Sequence, residues 1–208
     1  MDPERRAEAT AVAGRRGAAT IRPRVVADVS PLVDLLWAQQ PATRYPVRDS
    51  LPFPVEDFLH VHDAAAAWTA ELDGRVVGHA CWLRTPPSAA AQRGVETSTG
   101  ATRTAAEACA SAHGCDEDEL AWVSALFVDP AARGQGLGPR LLATVVDGIR
   151  GAGLRPCLEV VDLNPAALRR YRADGWQTVL RATPDWLTAA TDDPSLGTTT
   201  MVLPPAAR

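Results

Sequence analysis

The sequence predicts an α/β fold, in which a central sheet is flanked by helices. The strongest observation is the order strand, glycine-rich loop, helix and strand over residues 122–161, a unit that normally makes a right-handed crossover between parallel strands. The second is a hairpin over residues 67–83, whose two-residue turn is Asp73-Gly74. The chain has 208 residues, enough to bury a core as one domain.

The crossover unit begins with a strand from Trp122 to Val128, rich in β-branched and aromatic residues. Asp129-Pro130 ends this strand, because proline lacks the N–H that a strand ladder needs. The following helix has one apolar face, formed by Leu141, Leu142, Val145, Val146 and Ile149. Two glycines then end the helix, and a second strand is expected from Cys157 to Val161.

Before this unit, the sequence predicts a first strand from Ile21 to Val26. A helix should follow, opened by Ser30-Pro31 and closed by Pro41. Residues 41–62 are rich in proline and aromatic residues, and a short helix is expected there from Val55 to His62.

Residues 84–118 form an insertion in a domain that otherwise covers residues 20–208. Its residues are mostly small or polar, with prolines and glycines between them, and one helix is expected from Arg103 to Ala112. At this length the segment is expected to be either a functional excursion or poorly ordered. Toward the end of the chain, strands are expected from Gln177 to Arg181 and from Thr198 to Leu203.

Composition argues against several kinds of partner. The net charge is −4, which gives no reason to expect a nucleic acid. No apolar run reaches the roughly 20 residues of a membrane span, so no membrane partner is expected. Residues 1–19 have the composition of a disordered leader, and with four scattered cysteines we expect a cytoplasmic protein. Cys109, His113 and Cys115 lack the spacing and the fourth ligand of a zinc site, so no metal is expected.

Residues 133–138, Arg-Gly-Gln-Gly-Leu-Gly, have the composition of an anion-binding loop. Glycines at the start of a helix leave main-chain N–H groups uncovered at the positive end of the helix dipole, and Arg133 can add a charge-assisted contact. A Walker loop requires a lysine, and the chain contains none. The dinucleotide fingerprint G-x-G-x-x-G does not match the observed G-x-G-x-G either. A phosphate cradle and a simple tight turn are the two alternatives.

Two motifs in this order resemble those of the GNAT family of N-acetyltransferases. Arg133-x-x-Gly136-x-Gly138, after a strand that ends Phe-Val-Asp-Pro, is similar to the family's acyl-CoA-binding motif Arg/Gln-x-x-Gly-x-Gly/Ala. Downstream, Leu158-Glu159-Val160 followed by Asn164, Tyr171 and Gly175-Trp176 resembles the family's second signature. The resemblance implies a GNAT-like mixed sheet of about seven strands flanked by helices, with a splayed strand pair that holds acyl-CoA.

The resemblance also implies a role for each matched residue. Phe127 and Val128 would offer main-chain groups to the pantetheine arm of the co-substrate acetyl-CoA, and Asn164 would lie near the same arm or the acceptor. Tyr171 would protonate the departing thiolate. The pyrophosphate would be held by the loop amides, those of Arg133, Gly134, Gln135, Gly136, Leu137 and Gly138. Pro139 departs from the pattern, because it removes one N–H donor although it suits the first turn of a helix.

Acetyl transfer to an amine needs a proton acceptor, an oxyanion donor and an acid for the leaving thiolate. Glu159 is the best-placed base, since its spacing to Tyr171 resembles that in ribosomal-protein N-terminal acetyltransferases; the alternative is a purely structural carboxylate. On the preceding strand, Trp122 and Ser124 are not convincing bases. The oxyanion donor is expected to be a strand N–H such as that of Val128. No cysteine occupies an obvious nucleophile position, so direct attack in a ternary complex is expected.

The acceptor is expected near the proline-rich segment. The candidate substrate contacts are Trp37, Arg44, Tyr45, Arg48, Phe53 and Ser124, although the aromatic residues can equally staple a surface loop to the core. Trp186 is expected to cap the core rather than border the pocket, and His79 to be a core residue rather than a base. The expected acceptor is a primary amine of a small molecule. The alternatives are a peptide N-terminus and a non-catalytic acyl-CoA-binding module, and a homodimer is compatible with either.

Overall fold

The computed structural model describes residues 19–87, 95–96 and 102–205. The predicted leader lies almost wholly outside these residues, as does part of the predicted insertion. Nine strands are formed by the described residues, namely β1 Ala19–Pro23, β2 Ala66–Leu72, β3 Arg75–Leu83, β4 Val95–Glu96, β5 Thr102–Arg103, β6 Leu120–Val128, β7 Arg155–Val161, β8 Gln177–Ala182 and β9 Thr198–Val202. Seven of them make one mixed sheet in the order β1-β2-β3-β6-β7-β9-β8, and β4 pairs with β5 separately. The predicted fold class is therefore confirmed.

Helices cover both faces of the sheet. They are α1 Val29–Thr43, α2 Val55–Phe58, α3 Ala105–His113, α4 Leu137–Gly151, α5 Pro165–Ala173 and α6 Asp185–Thr191. The apolar face of α4 is fully buried at Leu141, Val145 and Ile149 and packs on alternate residues of β6 such as Ala121 and Val123. The intervening β6 residues pack on the opposite face, with α3 near one end and α1 near the other.

The sheet divides between β6 and β7, which are adjacent and parallel. β6 and β7 pair only from Leu120 opposite Arg155 to Val123 opposite Leu158. Beyond that point β6 continues against β3 and β7 continues against β9. The splayed strand pair that the resemblance implied is therefore present.

A β-bulge bends β6 just after the strands separate. Two residues, Ala125 and Leu126, lie between the β6 positions that pair with His79 and Cys81 of β3. Ala125 adopts a left-handed φ of 47°, which is uncommon for a residue with a side chain. Bulges of this kind bend a strand and redirect its side chains.

Two predicted helix ends are corrected, and one helix was missed. α1 continues past Pro41, because a proline in the final turn removes only one helical hydrogen bond; the helix ends where Arg44 turns left-handed, with φ 53°. α2 stops at Phe58 rather than His62, because His60 also adopts a left-handed φ of 51°. α6, which contains Trp186, was not predicted.

Candidate active site

A cavity of about 850 Å³ follows the division between β6 and β7. The loop before α4 lines one end of the cavity. The segment that joins α1 to α2, together with Trp186, lines the other end. We call these two ends the loop end and the acceptor end.

The loop end is built from main-chain groups. Gly134 and Gly136 adopt left-handed φ angles of 78° and 73°, which glycine accepts without steric cost. α4 begins at Leu137, and its first internal bond runs from the Arg140 N–H to the Gly136 carbonyl at 3.2 Å. The N–H groups of Leu137 and Gly138 therefore have no partner within the helix, and Pro139 has none to offer.

Gly138 has no packing reason to be glycine. A Cβ added there would meet Val128 Cγ2 at 3.9 Å, an ordinary contact. Gly138 lines the cavity, and so does the exposed Arg133. Uncovered amides, a helix N-terminus and a guanidinium together fit a diphosphate.

The strand residues predicted to meet the pantetheine arm, Phe127 and Val128, both line the cavity. The N–H of Asp129 donates to the Val77 carbonyl of β3 at 2.8 Å. Because successive N–H groups of a strand point to opposite sides, the Val128 N–H points toward the side from which β7 has departed.

Tyr171 reaches the cavity from α5. Its ring contacts Trp176 edge-on, with ring centroids 6.1 Å apart, and burial raises the pKa of Tyr171 to about 12. Asn164 also lines the cavity, but its side-chain oxygen caps α5 by accepting the Ala167 N–H at 3.0 Å. Asn164 therefore has a structural role that the motif alone did not reveal.

Ser124 and Glu159 lie at the point where the sheet divides. They immediately follow Val123 and Leu158, the last paired residues of β6 and β7. Val123 and Leu158 pack in the core under α4, so strand alternation places Ser124 and Glu159 on the opposite face. Both line the cavity.

Most of the predicted acceptor contacts line the acceptor end: Arg44, Tyr45, Arg48 and Phe53 do, whereas Trp37 does not. Burial raises the pKa of Tyr45 well above its usual range, and its ring lies 5.5 Å from that of Phe58. Trp186 also lines the cavity, and its carbonyl accepts a hydrogen bond from Arg48 Nη2 at 3.4 Å. The expectation that Trp186 only caps the core was wrong, because α6 carries the residue to the cavity.

Two cavity residues were missed by sequence reasoning. His60 lies with Nε2 2.9 Å from Ser124 Oγ and Nδ1 3.2 Å from Asp63 Oδ1. Gln39 of α1 is only 4% exposed, and its side-chain Nε2 has no hydrogen-bond partner among the described residues. Neither residue belongs to a motif, because each reaches the cavity only through tertiary packing.

His79 is fully buried and structural. Its Nδ1 lies 3.0 Å from the Ala125 carbonyl of the bulge, and since a carbonyl only accepts, Nδ1 must carry the proton. Nε2 then accepts from Arg24 Nη1 at 3.1 Å. Burial lowers the pKa of His79 to about 4, so this residue is neutral near pH 7 and does not act as the base.

Within the described ranges, no group of three or more His, Cys, Asp or Glu side chains could hold a metal ion. No helix in the same ranges is both long and apolar enough to cross a membrane.

A sheet that divides between parallel strands, with a glycine loop facing the division, is the arrangement that the resemblance to acyl-CoA-dependent acetyltransferases implied. Comparison with known proteins identifies the family. The model of the acetyltransferase (GNAT) family matches residues 30–176, so the chain belongs to the GNAT family, as its motifs predicted. The prediction of an acyl-CoA-dependent N-acetyltransferase with acetyl-CoA as co-substrate is confirmed at the level of the family.

Solved structures share the fold at low sequence identity. A GCN5-related N-acetyltransferase from Kribbella flavida is 19% identical, with a TM-score of 0.61 over 90% of this chain and 98% of that chain. The ribosomal-protein-S18-alanine N-acetyltransferase from Escherichia coli is 17% identical, with a TM-score of 0.58 over 92% and 96%. The protein yncA from Salmonella typhimurium, solved with acetyl-CoA, is 18% identical, with a TM-score of 0.56 over 89% and 93%. A search of curated proteins found no match.

Proposed function

We propose that the protein transfers the acetyl group of acetyl-CoA to a primary amine of a small molecule, by direct attack in a ternary complex. The observation that carries this proposal is one continuous cavity, which joins the glycine loop to a chamber lined by side chains of α1, β6 and α6. Acetyl-CoA supplies the acyl group as a thioester. The residues of the chain bind it, position the amine and move the protons.

The loop end holds the diphosphate in this proposal. The amides between Arg133 and Gly138 donate to it, and the Arg133 guanidinium adds a charged contact. Phe127 and Val128 offer main-chain groups to the pantetheine arm, and Asn164 borders the same arm. The inward direction of the Val128 N–H supports its predicted role as oxyanion donor, since a fixed donor stabilises charge that develops during reaction.

Tyr171 is proposed as the donor to the leaving sulfur. With a pKa raised to about 12, its hydroxyl is protonated at neutral pH and is a weaker acid than that of an exposed tyrosine. A free thiol has a pKa of roughly 8.5, so the thiolate is a weaker base than the Tyr171 phenolate. A hydrogen bond from Tyr171 to the sulfur is therefore favoured over complete transfer of the proton before the thiolate departs.

A small acceptor is favoured over a peptide by the contact between Arg48 and the Trp186 carbonyl. This contact joins the proline-rich segment to α6 where both line the cavity, and so narrows the acceptor end. The carboxylate predicted as base, Glu159, also lines the cavity, and its role stays a prediction. The four cysteines are free, which is compatible with the predicted cytoplasmic location.

Thiol release from acetyl-CoA, measured against tyramine, spermidine, lysine and an alanine-starting hexapeptide, tests the proposal. We expect turnover with at least one small amine. Tyr171→Phe should then lower kcat about 100-fold, the scale of general acid catalysis, with the Kd for CoA unchanged. Tyr45→Phe is the matched control, since the chain's other tyrosine lines the acceptor end and should change KM more than kcat.

Two results would contradict the proposal. Turnover of the hexapeptide alone would make the protein a peptide N-terminal acetyltransferase. Tight binding of CoA without turnover of any acceptor would make it a non-catalytic acyl-CoA-binding module.

A further inference from the structure

Ser124, His60 and Asp63 form a hydrogen-bonded row at the point where β6 and β7 separate. The His60 Nε2 lies 2.9 Å from the Ser124 Oγ, and the His60 Nδ1 lies 3.2 Å from each carboxylate oxygen of Asp63. A carboxylate can only accept, so Nδ1 carries the proton of the neutral ring. Nε2 therefore presents a lone pair, to which the Ser124 hydroxyl donates.

The backbone around His60 is held in an unusual conformation. His60 has a left-handed φ of 51°, and such residues persist only where the surroundings impose the conformation. Arg24 provides this restraint, because its guanidinium donates to the carbonyls of Leu59 at 2.7 Å and His60 at 3.0 Å. The same guanidinium also contacts His79, which holds the bulge that follows Ser124. His60 and Ser124 are thus fixed by one connected set of contacts.

The exposure of the row decreases from Asp63 to His60. The Asp63 side chain is 65% exposed and that of His60 13% exposed, and both His60 and Ser124 line the cavity. The row thus joins the cavity to solvent.

We propose that Ser124 and His60 are catalytic residues that remove the proton of the acceptor amine, with Asp63 and Arg24 as positioning residues. The N–H bond of the amine breaks, and its proton passes to Ser124 Oγ. The proton of the Ser124 hydroxyl passes at the same time to His60 Nε2. The resulting imidazolium is stabilised by Asp63, and its Nδ1 proton leaves to water beside the exposed Asp63 carboxylate. Exchange with water then moves the remaining ring proton from Nε2 to Nδ1, which restores the starting tautomer. This proposal rests on the proposed function and assigns it a base.

Two other assignments are less consistent with these contacts. Glu159 also lines the cavity, but Ser124 and His60 already form a hydrogen-bonded pair that can carry the amine proton away. Ser124 could instead act as a nucleophile that carries the acetyl group. In serine nucleophile triads, however, the carboxylate is buried, whereas Asp63 is largely exposed to water, an arrangement that suits release of a proton.

The test compares His60→Gln and Ser124→Ala with the wild-type chain on the best amine of the panel, from pH 7 to pH 9.5. Four charged or titratable residues lie close to His60, namely Asp63, Asp57, Arg24 and His79. Glu159 on β7 lines the same cavity. At pH 7 we expect kcat/KM to fall about 100-fold in each variant, with the Kd for CoA unchanged. At pH 9.5 the deficit should shrink to a few-fold, because about a quarter of an amine with a pKa near 10 is then free base, against roughly 0.1% at pH 7. A structural defect would not be relieved by pH.

Glu159→Gln is the matched control, and its deficit should not depend on pH. A deficit relieved by pH in Glu159→Gln but not in His60→Gln would overturn the proposal, and so would an acetyl group found on Ser124 by mass spectrometry. Failure of the wild-type chain to acetylate any amine would instead refute the proposed function. An active wild type with a pH-independent defect in His60→Gln would refute only the proton relay.

Discussion

The two ends of the cavity are built in different ways. The loop end uses main-chain groups of consecutive residues, 133–138, at the start of one helix. The acceptor end uses side chains from α1, the segment after it, β6 and α6. The chemistry of the loop end can therefore be recognised from a short glycine pattern, whereas that of the acceptor end depends on contacts between distant residues.

The largest expected effect is on CoA affinity, and it comes from changing the backbone conformation of the loop. Gly136→Val places a β-branched residue at a φ of 73° and should move the loop amides. We expect the Kd for CoA to rise about 100-fold, equivalent to roughly 2.7 kcal/mol or one to two charge-assisted hydrogen bonds. The Kd is measured by isothermal titration calorimetry.

Gly74→Val is the matched control for this substitution. Gly74 has a φ of 76° in the hairpin turn, and a Cβ there would likewise meet nothing within 4 Å. Similar destabilisation of both variants with weaker CoA binding only in Gly136→Val is the expected pattern. Equal CoA affinities of the two variants would show that the loop is not part of the CoA-binding site.

The second prediction concerns the anchor of α1, which carries part of the acceptor end. Asp28 accepts hydrogen bonds from both terminal nitrogens of Arg22 at 2.7 Å and is almost completely buried. These bonds, first among several causes, lower the pKa of Asp28 from 3.8 to about 2. Because the folded-state pKa lies below the unfolded value, the carboxylate stabilises the protein above about pH 4. This contribution is lost as the pH falls toward 2.

Asp28→Asn should therefore lower the free energy of unfolding by about 2 kcal/mol at pH 7. The difference from wild type should narrow below pH 4, as measured by urea unfolding at several pH values. Asp34→Asn, an exposed carboxylate on α1, should change stability little. A difference between wild type and Asp28→Asn that is the same at pH 7 and pH 3 would contradict this account.

The smallest expected effect concerns the amide of Gln39. A buried donor without a partner costs about 1–3 kcal/mol, so Gln39→Met should raise the free energy of unfolding by about 1 kcal/mol. If the amide serves the acceptor, KM for the amine should rise several-fold. Gln40→Met provides the contrast, because the Gln40 amide already donates to the Pro46 carbonyl at 3.3 Å. If Gln39→Met is more stable and its KM for the amine is unchanged, the Gln39 amide has no part in binding the acceptor.

The sequence was sufficient for the features that depend on local pattern. The hairpin turn, α4 and the strands β6 and β7 are specified by glycine, proline and apolar spacing, and so is the loop between them. His60 could not be found in this way, because its left-handed backbone is imposed by Arg24, which precedes it by more than thirty residues. Trp186 was misassigned for a similar reason, since α6 has only seven residues and its direction depends on packing.

The division of the sheet has a consequence for folding as well as for binding. Four strands belong to one half and three to the other, and strand pairing joins the halves only over the short register from Leu120 to Val123. If the amides of the pantetheine arm of acetyl-CoA bond to the unpaired edge of β6, the arm would act as an extra strand inserted in this gap. The two halves of the sheet would then be held together more strongly when acetyl-CoA binds, and less strongly after CoA dissociates.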